Sequence, residues 1–274
     1  MVPMSYPPQN FYYQPVAQPK PPVRRRHPEA KLGPFTWMDL VTFVAYVLIM
    51  FIGVAVFVLF IPGVPELFGD NEEAMMFGVN FLGYAIMFAL VLMAAGPELW
   101  RSFKTFRWYP WAKYLGLPGS WFVTIIASAI VVAVAATAMG IDPNTMAQSE
   151  NQQAAQAMMD AIPFPLMALM VVVMGPLVEE YIFRQLLIGK LSRWINKWVL
   201  VVASAFLFMS LHFIGKEWPT FITGTPYVMM GLAFGIGYVL SGKSLGYSWS
   251  MHAFSNLMAL SLSSLLEPML PGSA

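Results

Sequence analysis

The sequence predicts an all-α, polytopic membrane helical bundle of about seven transmembrane helices, and three observations predict it. Of 274 residues, 58% are hydrophobic and 11% charged, where soluble domains carry about a quarter charged residues. Long apolar stretches recur along the chain, and the Lys and Arg between them crowd into alternate loops. Net charge is +1. That leaves no basic face to displace counterions from phosphates, so nucleic acid is not an expected partner. With no cysteine in the chain, disulfides, thiolate metal sites and a cysteine nucleophile are excluded.

Residues 1–34 read as a disordered, proline-rich cytoplasmic tail, since proline removes backbone donors and fixes φ. The cluster Arg24, Arg25 and Arg26 is followed by Pro28, Pro34 and a full-length apolar span, which is not the layout of a signal peptide. A hydrocarbon layer of about 30 Å needs about 20 apolar residues per helix. Stretches of that kind run from about Trp37 to Ile61, Met75 to Ala95, Trp121 to Met139, Pro163 to Ile188, Trp198 to Phe213, Pro226 to Leu240 and Leu245 to Leu266. Gly231 and Gly235 in the sixth form a small-x-x-x-small face suited to close helix approach.

The basic residues test this count. With the N-terminus inside, the cytoplasmic loops hold Arg101, Lys104, Arg107 and Lys113, then Lys190, Arg193 and Lys197, then Lys243. The opposite face has Lys216 and most of the acids. The expected protein is thus integral to the cell membrane and multi-pass, with a cytoplasmic N-terminus and the C-terminus outside. An eighth, interfacial helix near Trp100 to Lys113 fits the same pattern.

Three charges remain deep inside a span: Glu179, Glu180 and Arg184, all on the fourth helix in GPLVEEYIFRQLL. A charge at membrane depth costs about 2.5–3.5 kcal/mol on insertion scales, so such residues face the protein interior and mark function. Glu180 and Arg184 are four apart and can pair on one face. Glu179 points about 100° away, which makes it the expected working carboxylate. Two of the three histidines, His212 in FLFMSLH and His252 in WSMHAFSN, also fall in predicted membrane helices. Asn256 follows His252 by one turn, and Phe208 precedes His212 by one turn, forming an apolar wall beside its ring.

Amide hydrolysis needs an activated water, a base and donors aimed at the developing oxyanion. Glu179 would be the base, His212 would position the water, and His252 and Asn256 would donate to the oxyanion. The rival assignment holds a zinc ion on His212, His252 and Glu179 and lowers the pKa of its bound water to about 7. Both readings, zinc-dependent and metal-free, are compatible with the residues.

EEYIFR resembles the Glu-Glu-x-x-x-Arg motif, FMSLH the Phe-x-x-x-His motif and HAFSN the His-x-x-x-Asn motif of the CPBP family, which comprises type II CAAX-prenyl endopeptidases and bacteriocin-processing or Abi proteins. Gln185 stands where a glycine often follows the arginine. The resemblance implies an intramembrane endopeptidase, often described as a metalloprotease, with Glu179 and His212 activating water and His252 and Asn256 serving the oxyanion. It implies a peptide or protein substrate, lipidated or membrane-anchored, met among membrane lipids. The resemblance covers roughly residues 120–266, and the chain as a whole reads as the tail 1–34, N-terminal transmembrane helices with a basic loop at 35–119, a catalytic helical core at 120–267 and a short tail at 268–274.

From the inner ends of their spans, at about 1.5 Å per residue, Glu179 and His252 lie nearer the cytoplasmic side and His212 deeper. The expectation is a water-filled cavity open toward the cytoplasm. Two other classes also place such groups at depth: a transporter or proton relay, and a non-catalytic immunity or scaffold protein that only binds peptides.

Overall fold

A computed structural model describes residues 30, 32–141 and 149–266. Most of the proline-rich tail, with Arg24, Arg25, Arg26 and His27, and the expected C-terminal tail 268–274 lie outside the described residues. The described residues form helices and no strand. We number them α1 (Trp37–Phe51), α2 (Glu72–Ser102), α3 (Pro110–Met139), α4 (Glu150–Ala161), α5 (Phe164–Arg193), α6 (Lys197–Leu211), α7 (Phe221–Leu240) and α8 (Leu245–Leu266).

Helix starts follow the local chemistry. Thr36 and Asp39 form a capping box on α1, the Asp39 carboxylate accepting from the Thr36 amide at 2.6 Å. Asn71 caps α2 by accepting from the Ala74 amide at 2.8 Å, and Thr220 with Thr223 closes a second capping box on α7. Each satisfies amides that the first turn leaves without a partner.

The first expected span is broken. Gly53 has φ 74°, a left-handed conformation that only glycine adopts at little cost, and the tight turns Val54–Phe60 leave α1 at 62°. The expected interfacial helix near Trp100 is instead the continuation of α2, which tightens over Phe103–Arg107 before Pro110 opens α3. A further short helix, α4, lies between the expected third and fourth spans. Ser149 caps it, its hydroxyl accepting from the Gln152 amide at 3.3 Å.

Among the described residues, four helices are long and apolar enough to cross a membrane: α2 with its extension, α3, α5 and α7. The bent pair at Gly53 would make five. By length and composition alone, that count stands short of the expected seven. Helix α6 has only 15 residues, and α8 carries His252, Asn256 and several serines that lower its apolarity. Burial ranks the spans: 67% of the most apolar window of α5 is inside the protein against 17% for α3, so α5 is the central helix and α3 a lipid-facing one. The face at Gly231 and Gly235 does admit close approach. A methyl group at Gly231 would stand 2.8 Å from Ala205 Cα, and one at Gly235 would stand 3.1 Å from Val201 Cγ1, both on α6.

Contacts between loops define two ends of the bundle. At one end, Thr105 donates to the Ser241 carbonyl at 3.0 Å and Lys243 donates to Ser192 at 3.1 Å, joining the α2–α3, α5–α6 and α7–α8 connections. At the other, the Glu217 amide donates to Glu150 at 3.2 Å, joining α4 to the α6–α7 loop. Basic residues gather at the first end and acids at the second.

Candidate active site

Helix α5 presents its two carboxylates to different surroundings. Near their level it contains wide, π-type turns, at Leu169–Met174 and from Glu180 to Lys190, a departure that recurs at functional sites. The Glu180 side chain is 0% exposed and that of Glu179 12%, so solvent reaches only the latter.

Glu180 is saturated by neighbours. Arg184 Nε lies 3.3 Å from its Oε2, the Ser248 hydroxyl donates to the same oxygen, and His252 Nδ1 lies 3.0 Å from Oε1. Arg184 is completely buried and donates from Nη2 to the Gly231 carbonyl at 3.2 Å. Its guanidinium lies 4.9 Å from the Phe208 ring centre and 5.6 Å from that of Phe234, near enough for the ring quadrupoles to attract the charge. Phe208 is therefore more than a wall beside His212. It packs on Arg184, on the His212 ring at 4.8 Å and on the His252 ring at 5.6 Å.

Glu179 has other company. The Tyr84 hydroxyl, from α2, donates to its Oε1 at 3.3 Å, and His252 Nε2 stands 3.8 Å from its Oε2, beyond direct hydrogen-bond reach. Because the Glu180 carboxylate can only accept, the bond at His252 Nδ1 places a proton there and turns Nε2 toward Glu179. His212 sits at the C-terminus of α6 with Nδ1 2.8 Å from the Phe208 carbonyl. A carbonyl cannot donate, so Nδ1 carries the proton and Nε2 keeps its lone pair. The ring leans on Tyr227 at 4.5 Å between centres. Asn256 donates from Nδ2 to the Val171 carbonyl at 2.7 Å. One of its two amide hydrogens is thus engaged by the π-type turn of α5, leaving the other.

Glu179, His212, His252 and Asn256, reached from three helices, line one cavity of about 490 Å³, together with Tyr84 and Phe208. On α5 its lining runs from Met167 to Glu179 and no further toward Lys190. Below it, buried Glu180, Arg184 and Phe234 form a packed floor. The exposed rim residue Gln152 belongs to α4. The cavity therefore extends from Glu179 to the acidic end of the bundle, which reverses the expected opening at the end bearing the basic loops. Distance from a helix end does not tell which side of the groups is closed, and here the buried Glu180 and Arg184 close the basic side.

The zinc arrangement does not fit. Among the described residues no group of three His, Asp or Glu side chains has the geometry to hold a metal ion. The contacts of His252 Nδ1 with Glu180 and of His212 Nδ1 with the Phe208 carbonyl leave both Nε2 atoms to the cavity.

Sequence reasoning missed Tyr84, Tyr227 and Ser248. Ser248 stands one turn before His252 on the same face, and Tyr84 one turn after Asn80, which also lines the cavity. Those spacings were the available signals.

Residues 161–258 match the family of type II CAAX prenyl endopeptidase Rce1-like proteins. A curated relative from Mycoplasma capricolum, described as an uncharacterized protein, is 30% identical over 124 residues, which cover 43% of this chain and 35% of that protein. The chain thus matches about a third of the length of that relative. No solved structure matches the chain. Glu179, His212, His252 and Asn256 all lie within the stretch that matches the Rce1-like type II CAAX prenyl endopeptidase family.

Proposed function

We propose that the chain is an intramembrane endopeptidase that hydrolyses a peptide bond with a water activated by Glu179. The observation that carries this reading is the convergence of Glu179, His212, His252 and Asn256 on one cavity with an exposed rim. Glu179 takes the proton of a water that the Nε2 lone pair of His212 helps to orient. His252, in its protonated form, donates from Nε2 to the oxyanion, and the second amide hydrogen of Asn256 joins it. Glu180 and Arg184 act through His252: their buried pair fixes the ring by its Nδ1. Tyr84 positions the Glu179 carboxylate.

No step runs through a metal ion, because Glu179, His212 and His252 are not gathered as a metal-holding group among the described residues. A transporter would need a path through the packed layer of Glu180, Arg184 and Phe234, and the cavity ends above it. The substrate is a membrane-anchored peptide or protein. For topology, α6 and α8 join the four long spans and the bent pair to make seven crossings, with the N-terminus cytoplasmic; α6 crosses despite its length by reaching only from the basic end to His212.

The test is proteolysis by protein purified in detergent, on a membrane-anchored peptide library, comparing the wild type with Glu179→Gln. Cleavage products in the wild type and none in the variant are expected. Products at equal rates from both would end the proposal.

A further inference from the structure

The family match fixes neither which face of the membrane the site serves nor where its substrate comes from. We infer that the cavity opens on the extracytoplasmic face, so that the substrate is a peptide segment presented from outside the cell and not a cytoplasmic tail.

Two independent observations meet here. The first is the direction of the cavity. Asn80 and Tyr84 lie in the half of α2 that begins at Glu72, Met167 to Glu179 in the first half of α5, His212 at the last turn of α6, and Ser263 near the end of α8. Successive helices run in opposite senses, so all of these positions fall in the same half of the bundle, and the rim is completed there by α4 and Lys216. Nothing below Glu179 contributes, since Glu180 and Arg184 are 0% exposed.

The second is charge. Arg101, Lys104, Arg107, Lys190, Arg193 and Lys243 cluster at the opposite end, in short connections close to helix ends. Short loops rich in Lys and Arg stay cytoplasmic during insertion, and anionic lipid on that leaflet attracts them further. The cavity end holds Glu66, Asp70, Glu72, Glu73, Glu150 and Glu217, and Lys216 is its one basic residue among those described. The cavity and the basic clusters therefore lie on opposite sides of the membrane.

Helix α4 fits that placement. It is the least apolar helix of the bundle and lies across the rim with exposed Gln152 and half-buried Gln156 facing the cavity. A substrate approaching from outside would pass along it before its scissile bond reached Glu179. The substrate part of this inference rests on the peptidase reading; the sidedness does not.

The absence of cysteine makes the test direct. Single variants Gln152→Cys at the rim, Asn80→Cys inside the cavity and Lys104→Cys at the basic end are expressed in the otherwise cysteine-free protein. Intact cells are treated with a membrane-impermeant maleimide, and for Asn80→Cys with a small charged methanethiosulfonate, before and after permeabilisation. Full modification of Gln152→Cys and Asn80→Cys in intact cells is expected, with loss of all labelling for Lys104→Cys until the membrane is opened. Labelling of Lys104→Cys from outside, or of either cavity variant only after permeabilisation, would overturn the inference. Repeating the labelling on a Glu179→Gln background separates the two claims: sidedness survives there even if the protein proves not to be a peptidase.

Discussion

His252 stands between two consecutive carboxylates of α5, with Nδ1 3.0 Å from Glu180 and Nε2 3.8 Å from Glu179. The imidazole divides the pair by function. On its buried side it is fastened to a carboxylate neutralised by Arg184, and on its other side it faces a carboxylate that the cavity reaches.

That division predicts opposite phenotypes for two neighbouring substitutions of the same kind. Glu179→Gln removes the base and leaves the packing, so proteolysis falls by about 10²–10⁴-fold with an unchanged melting temperature in detergent. Glu180→Gln breaks a buried ion pair and strands Arg184, a loss of about 3–5 kcal/mol, so the melting temperature drops as well as the rate. Equal melting temperatures for the two variants would contradict the assignment.

Tyr84 lies outside the family-matched stretch 161–258, yet its hydroxyl is 3.3 Å from Glu179. A hydrogen bond to a charged group contributes about 1.5–3 kcal/mol, and 1.4 kcal/mol is about tenfold in rate. Tyr84→Phe keeps the ring against Gly175, where an added methyl would lie 3.4 Å from it. The expected result is a fall of about tenfold or more in kcat with KM unchanged. A KM effect alone would mean that Tyr84 contacts substrate and does not hold Glu179.

The charges were legible because a carboxylate or guanidinium in an apolar run has no neutral explanation, and the four-residue spacing of Glu180 and Arg184 put them on one face. His212, His252 and Asn256 stood out in the same way. What stayed hidden depends on contacts between distant segments. Tyr84 looks like any interfacial aromatic until α2 packs on α5. The break at Gly53 lies in a stretch apolar on every side, where lipid-facing and protein-facing residues are chemically alike, so periodicity carries no signal. The direction of the cavity needed the position of α4, whose polar composition reads as a loop in a chain dominated by apolar spans.

Chelation provides a separate test of the chemistry. Since Glu179, His212 and His252 do not converge as a metal-holding group, proteolysis by the purified protein should be unchanged after prolonged incubation with EDTA or 1,10-phenanthroline and removal of the chelator. Loss of activity restored by added zinc would require the three side chains to regroup and would refute the metal-free mechanism.

The last prediction concerns the support beneath the site. Gly231 faces α6 with so little space that a methyl group would sit 2.8 Å from Ala205 Cα and 3.2 Å from its carbonyl oxygen. Backbone atoms cannot rotate away, so Gly231→Ala must move α7 from α6. The Gly231 carbonyl is the acceptor for Arg184, so the shift also reaches Glu180 and, through it, His252. Overpacking of this kind costs about 1–3 kcal/mol, which outweighs the gain of up to about 1 kcal/mol that alanine brings to a helix. Gly96 in α2 is the control, because a methyl group there meets nothing within 4 Å. Gly231→Ala should lower both the melting temperature and the rate, whereas Gly96→Ala should leave the rate alone and hold or raise the melting temperature. If the two alanine variants behaved alike, the close α6–α7 contact would not be what holds Arg184, Glu180 and His252 in register.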